Sequence, residues 1–148
     1  MKTQQHNSLG FTLVELIVVL IIIGVLAVSL LPRFFTTSGT SEYLYQDQLL
    51  NLLRRVQMQA MQCTDCVTPT VDITSSSVLV TGTSCSDDSS MALCPSERDA
   101  ISFSANTTPI GFDSLGRPQG CIGVCQLTVQ GASALRVCIE TEGYIHPC

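Results

Sequence analysis

An uninterrupted apolar run constrains this chain more than any other feature. From Leu16 to Leu31 there is no charged residue, and only Gly24 and Ser29 break the succession of apolar side chains. Counted from Phe11 the run has 21 residues, roughly 31 Å of helix, close to the thickness of a bilayer's hydrocarbon core. Val and Ile are abundant and in water would favour strand. In lipid a helix is imposed, because every backbone group must be bonded within the segment. The run therefore predicts a membrane-embedded helix over residues 11–35. Pro32 removes one backbone donor and crowds the preceding turn, so a kink or a short melted segment is expected there.

Glu15 does not suit a plain anchor. A carboxylate at membrane depth costs on the order of 2–3 kcal/mol, so it needs a partner. The only Lys is Lys2, and the first Arg is Arg33, at the far end of the run. A free α-amino group, made by cutting the chain between Gly10 and Phe11, would supply the charge. Phe11 lies four residues before Glu15, on the same side of one helix. The same amine could instead reach Glu15 of a neighbouring copy.

Gly10-Phe11-Thr12-Leu13-Val14-Glu15, followed by the apolar run, resembles the processing site of type IV prepilins and type II secretion pseudopilins. The resemblance covers about the first 35 residues. It implies a membrane-embedded prepilin peptidase that cuts after Gly10 and N-methylates Phe11, with Glu15 pairing to a neighbouring subunit's terminal amine during assembly. Two blander readings compete. A secretory signal cut near Ala27-Val28-Ser29 fits poorly with so long a run, an internal Glu15 and a basic region reduced to Lys2. An ordinary single-pass anchor leaves both Glu15 and the Gly10-Phe11 junction without a role.

The remaining length suits one small domain rather than two. Net charge is −5, and losing Lys2 with a leader would make it more acidic, which argues against nucleic acid as a partner. Arg54 and Arg55 are adjacent but make a weak basic patch. The eight cysteines, Cys63, Cys66, Cys85, Cys94, Cys121, Cys125, Cys138 and Cys148, read as a disulfide framework in an oxidising compartment. Many connectivities are open. Local pairing would join Cys138 to Cys148, Cys85 to Cys94 and Cys121 to Cys125, leaving Cys63 to Cys66. Zinc is the rival for Cys63-x-x-Cys66, but no second C-x-x-C follows and neither His6 nor His146 pairs with it, so no metal is expected.

Along the chain, residues 1–10 form a polar leader and residues 36–62 a second helical stretch. Thr36 to Ser41 is rich in breakers, and Gly39 weakens any helix that continues through it. From about Glu42 to Gln62, Tyr45, Leu49, Leu52, Val56 and Ala60, with Leu53 alongside, recur at three- and four-residue steps. Gln46, Gln48, Asn51, Arg54, Gln57 and Gln62 are assigned to the opposite, polar face. From Cys63 the period becomes two, and residues 63–148 read as a disulfide-rich β region forming one domain with 36–62. Strands are predicted at 71–73, 78–81, 100–104, 123–129, 134–140 and 144–145, with a loop over 83–97 and a turn at 113–116. In the strand over 134–140, Leu135, Val137 and Ile139 share one face, and Leu127 and Val129 offer a matching one. The fold class is α+β: a long N-terminal helix, half membrane or filament core and half amphipathic, packed on a small, mainly antiparallel sheet. The resemblance implies the same, a pilin fold.

The segments Phe112-Asp113-Ser114-Leu115-Gly116-Arg117-Pro118 and Ile139-Glu140-Thr141-Glu142-Gly143-Tyr144-Ile145 resemble the GspH/FimT branch of minor pilins. No catalytic constellation is present. Serines are many, but His146 would be the one histidine left after processing, and Asp87-Asp88 reads as a solvated loop pair rather than a calcium site. No nucleotide motif occurs, and neither cofactor nor small-molecule substrate is expected. The resemblance implies a structural subunit, held in the bacterial inner membrane with its globular part periplasmic and then moved into an extracellular filament. Its partners would be prepilin peptidase, other pilins and the pilus assembly platform. A minor pilin of the MSHA (mannose-sensitive haemagglutinin) class of type IV pili fits first. A GspH-like minor pseudopilin of type II secretion, or a tip adhesin or DNA-uptake pilin, are the alternatives.

Overall fold

The structure is a computed structural model that describes residues 12–34, 40–63, 67–86 and 90–148, with the side chains of the first segment given as far as Ala27. It divides into two compact units, Met1–Thr37 and Ser38–Cys148.

The first unit contains helix α1, Leu13–Phe34. Its backbone stays helical through Pro32 and for two residues beyond. Every described side chain from Leu13 to Leu26 is exposed, with Leu13 at 74% and Ile17, the most covered large one, at 46%. Among the described residues, no helix is long and apolar enough to cross a membrane. The side chains described in α1 reach only to Ala27, roughly 22 Å of rise from Leu13.

The second unit is an α+β domain built round helix α2, Ser41–Gln62. Strands β1 (Val71–Ile73), β2 (Val78–Val80) and β3 (Ala92–Leu93) form a three-stranded antiparallel sheet. Strand β4 (Ser102–Ala105) belongs to the main sheet. β5 (Gly111–Phe112) and β6 (Pro118–Gln119) make a separate hairpin. β7 (Cys125–Gln130), β8 (Ala134–Ile139) and β9 (Ile145–Pro147) complete the main sheet in the order β4-β7-β8-β9, antiparallel throughout. The backbone joins these pieces. Val71 and Ile110 exchange two hydrogen bonds of 2.8 and 2.9 Å, and the Phe103 amide donates to the Ser75 carbonyl at 3.1 Å.

The alternation in β7 and β8 explains where the core sits. Leu127 and Val129 pair with Val137 and Leu135, and Leu127, Val129, Val137 and Ile139 are at most 1% exposed. They face Leu49, Leu52, Leu53 and Val56 of α2, all equally buried, with Ile110 and Phe112 closing the side. Full burial of such side chains contributes about 1.5–3 kcal/mol each before conformational entropy is charged against it.

Several boundaries differ from the sequence expectation, for local reasons. The strand expected from Gly123 begins at Cys125, because Gly123 has φ +83° and the Cys121–Cys125 disulfide closes a tight loop before it. The strand expected from Ala100 begins at Ser102, because Ala100 takes φ +50° at the end of a 3-10 turn over Glu97–Asp99. Strand β3 lies inside the stretch expected to be loop throughout.

Candidate functional site

The start of α1 is built from the motif singled out in the sequence. Thr12 is its cap: the Glu15 amide donates to Thr12 Oγ1 at 3.2 Å and the Leu16 amide to the Thr12 carbonyl at 3.2 Å. Glu15 therefore occupies the third helical position, where the helix dipole favours a carboxylate. Sequence reasoning missed this cap, although Thr12-x-x-Glu15 carries the capping-box spacing that could have revealed it. Among the described residues Glu15, which is exposed, makes no ion pair. Gly10 and Phe11, the expected cut and methylation positions, lie outside the described residues, as do Cys66, Asp87 and Asp88.

The second unit brings together two segments singled out in the sequence, 112–118 and 139–145. Gln57 of α2 donates from Nε2 to the carbonyls of Gly116 and Gly143, both at 2.7 Å. One side-chain amide, with two N–H groups, thus ties two turns that are distant in sequence to one helix. The first turn is shaped by Asp113, whose Oδ1 accepts from the amides of Leu115 at 2.9 Å and Arg117 at 2.8 Å. The second closes through the Gly143 amide donating to the Glu140 carbonyl at 2.8 Å. Glycine is required at the contact. Gly143 has φ +94°, and a Cβ there would collide with the Gly116 carbonyl and come within 2.9 Å of Gln57 Nε2. Across the outside, Arg117 Nε lies 3.5 Å from Glu142 Oε2, an exposed pair that adds little stability.

Two residues assigned to the polar face of α2 are thus not solvent-facing. Gln57 is half-buried at the junction. Gln46 is 9% exposed and donates from Nε2 to the Arg136 carbonyl at 2.9 Å. Glu42, the first acidic residue of α2, is 2% exposed, and its Oε1 accepts from the Ser133 amide and hydroxyl at 3.2 and 2.9 Å. Tyr45 donates to Asp99 Oδ2 at 2.8 Å, and the same oxygen accepts from the Ser96 amide and hydroxyl. Burial first, and then the bond to Asp99, push the Tyr45 phenol up to about 12. The Tyr45 and Ser96 bonds hold the Asp99 carboxyl below its usual range.

Cys85 pairs with Cys94, Cys121 with Cys125 and Cys138 with Cys148, with Cα separations of 5.8, 5.5 and 5.8 Å. Cys63 is also disulfide-bonded. Among the described residues no cluster of His, Cys, Asp and Glu is arranged to hold a metal ion. Glu42, Tyr45, Gln46, Arg54 and Gln57 hold turns and strands of the unit to α2.

Residues 5–31 match the family model of the prokaryotic N-terminal methylation motif. Over that segment the chain is similar to type IV pilins and pseudopilins, and the match supports a pilin-like protein. The match takes in the Gly10-Phe11 junction, Glu15 and the apolar run, and ends before α2 and the sheets. In a pilin-type protein the motif implies processing by prepilin peptidase, methylation of the new N-terminus and assembly with other pilins. The pilin-type motif also points to a structural rather than a catalytic protein. No curated protein and no solved structure matches the chain.

Proposed function

We propose that the chain is a structural minor pilin of an MSHA-like type IV pilus, cut after Gly10, methylated on Phe11 and inserted into the filament through α1. The observation that carries this reading is the methylation motif over residues 5–31, with Glu15 as the lone acid at the head of an apolar helix. Before assembly the run spans the bacterial inner membrane once, and the domain over residues 38–148 lies in the periplasm. Pilin neighbours then replace lipid with equally apolar surface, so leaving the bilayer costs little hydrophobic free energy. Glu15 gains the methylated amine of an adjacent subunit, and the assembly platform and peptidase are the partners of the two steps. The disulfides suit the oxidising space on the far side of that membrane.

The junction of Gly116, Gly143 and Gln57 favours a second reading, a GspH-like minor pseudopilin of type II secretion. The two segments that resemble the GspH/FimT branch meet there on one side chain. Deleting the gene separates the two: loss of surface pili with secretion intact supports the pilus, and a secretion defect with normal pili supports the pseudopilin.

Intact mass with N-terminal sequencing of the protein from its native membrane tests the shared core of both. A mature chain beginning at N-methyl-Phe11, with Gly10→Ala left uncut, is the expected result. Glu15→Ala should then be processed and fail to enter filaments. A chain cut near Ser29, or left starting at Met1, removes the reading.

A further inference from the structure

His146 lies outside the processing motif and the Gln57 junction, yet its surroundings are specific. Nε2 lies 3.0 Å from Glu140 Oε1, and Nδ1 lies 2.8 Å from the Pro147 carbonyl oxygen. A carbonyl and a carboxylate both accept. A neutral imidazole has one N–H, so one of its nitrogens would face an acceptor with a lone pair of its own. Only the imidazolium donates to both. The ring of Tyr144 lies against the imidazole, with centroids 4.9 Å apart and planes 18° apart, and offers its π face to the same charge.

Two arginines lie on the elements packed against β9. Arg136 on β8 is two residues from Cys138, the cross-strand partner of His146, and Arg54 of α2 donates to the Ile145 carbonyl at 3.3 Å. The bond to Glu140, and then that to the Pro147 carbonyl, outweigh the desolvation of the ring and raise the imidazole above its ordinary value of 6.5. Strand β9 is an edge of the main sheet, and the Cys138–Cys148 disulfide closes the loop that contains it. The strand can therefore loosen but not leave.

We propose that His146 and Glu140 form a proton-operated clasp on edge strand β9, closed when the imidazole is charged and slackened when it is neutral. A folded-state value raised above the unfolded one gives stability that is fully present below pH 6.5 and is lost as pH rises through the higher, folded value. The bonds at stake are those from β9 and its turn to β8, including the Glu140 amide to the Tyr144 carbonyl at 2.9 Å and the Cys148 amide to the Arg136 carbonyl at 3.2 Å.

The test uses the full chain, oxidised, in detergent micelles. Ring ¹⁵N shifts of His146 are followed against pH in wild type and in Glu140→Gln. Exchange protection of the Glu140 and Cys148 amides, corrected for the intrinsic rate at each pH, is followed in wild type and in His146→Gln. The expected result is a ring protonated on both nitrogens with a midpoint above 6.5, shifted downward in Glu140→Gln, whose amide can donate to a neutral Nε2. Protection should fall across that midpoint in wild type and stay level in His146→Gln. A wild-type midpoint at or below the ordinary value, or wild-type protection that does not change across the midpoint, overturns the proposal.

Discussion

The two helices of this chain have the same length, 22 residues each, and both begin with an acidic first turn, at Glu15 in α1 and Glu42 in α2. Their side chains meet opposite fates. Leu13 to Leu26 are exposed, whereas Leu49, Leu52 and Leu53 are at most 1% exposed. Glu15 carries no ion pair among the described residues, while Glu42 is buried and bonded to Ser133. The difference lies in pattern rather than in hydrophobicity alone. The stripe of α2 repeats at three- and four-residue steps and finds its cover in strands of its own domain. The apolar surface of α1 runs all round, which no single sheet could cover, so it calls for an apolar environment outside the chain.

The sharpest way to break that comparison is to truncate one branched aliphatic side chain in each helix. Leu52→Ala removes a fully buried side chain and should cost the domain about 2–5 kcal/mol, with a clear fall in Tm. Ile21→Ala, at 61% exposure, should leave that Tm where it is and act only on membrane retention or filament entry. Equal Tm losses for the two would mean that α1 is part of the domain's core.

A smaller effect is expected at the junction. Gln57→Ala leaves the carbonyls of two buried glycines, Gly116 and Gly143, without their donor, at a cost on the order of 1–3 kcal/mol. Gly143→Ala should be destabilising by a separate route, through strain at φ +94° and a Cβ driven against the Gly116 carbonyl. Thermal melts of the two variants and of the double variant measure this. A double variant no worse than the weaker single one would show that Gln57 and Gly143 act through a single contact.

Much of this could be read from residue order, and what could not has a common cause. The stripe of α2 follows from spacing, and the alternation of β7 and β8 from period two, because both are properties of neighbours in sequence. The three pairs Cys85–Cys94, Cys121–Cys125 and Cys138–Cys148 are local for the same reason. Gln46 and Gln57 looked like solvent-facing residues because their partners are carbonyls of Arg136, Gly116 and Gly143, far along the chain. A polar side chain that satisfies a distant backbone group leaves no mark in local periodicity. The start of α1 is the opposite case: Thr12 and Glu15 stand at capping-box spacing, and the pattern was there to be read.

Tyr45 extends the comparison to pH, since it ties α2 to the 3-10 turn through Asp99. Its phenol, raised to about 12, should stay protonated after an unfolded tyrosine has ionised near its ordinary value of 10.0. The folded state then holds a proton that the unfolded state has lost. Stability should be fully present below pH 10 and decline as pH rises from there toward 12. An ultraviolet titration of the folded chain should show a late step from one of its three tyrosines, absent in Tyr45→Phe.

The smallest expected effect contrasts the two helix starts directly. Both helices are preceded by threonine, but only one is capped by it. Thr12 Oγ1 accepts from the Glu15 amide, whereas Thr40, at φ −117° and ψ −25°, makes no side-chain cap bond. Replacing Thr12 by Ala should therefore cost α1 about 1 kcal/mol of local helix stability, and the same change at Thr40 close to nothing. Amide exchange over residues 13–16 and 41–44 of the two variants reads this out. Glu15→Gln supplies the control: it keeps the amide that Thr12 receives and removes the charge. If Thr12→Ala frays the first turn while Glu15→Gln does not, yet Glu15→Gln alone blocks filament entry, then the backbone of residue 15 starts the helix and its carboxylate serves the contact with the next subunit. If both variants fray the turn and block entry alike, Glu15 acts through the cap and the amine-pairing role falls.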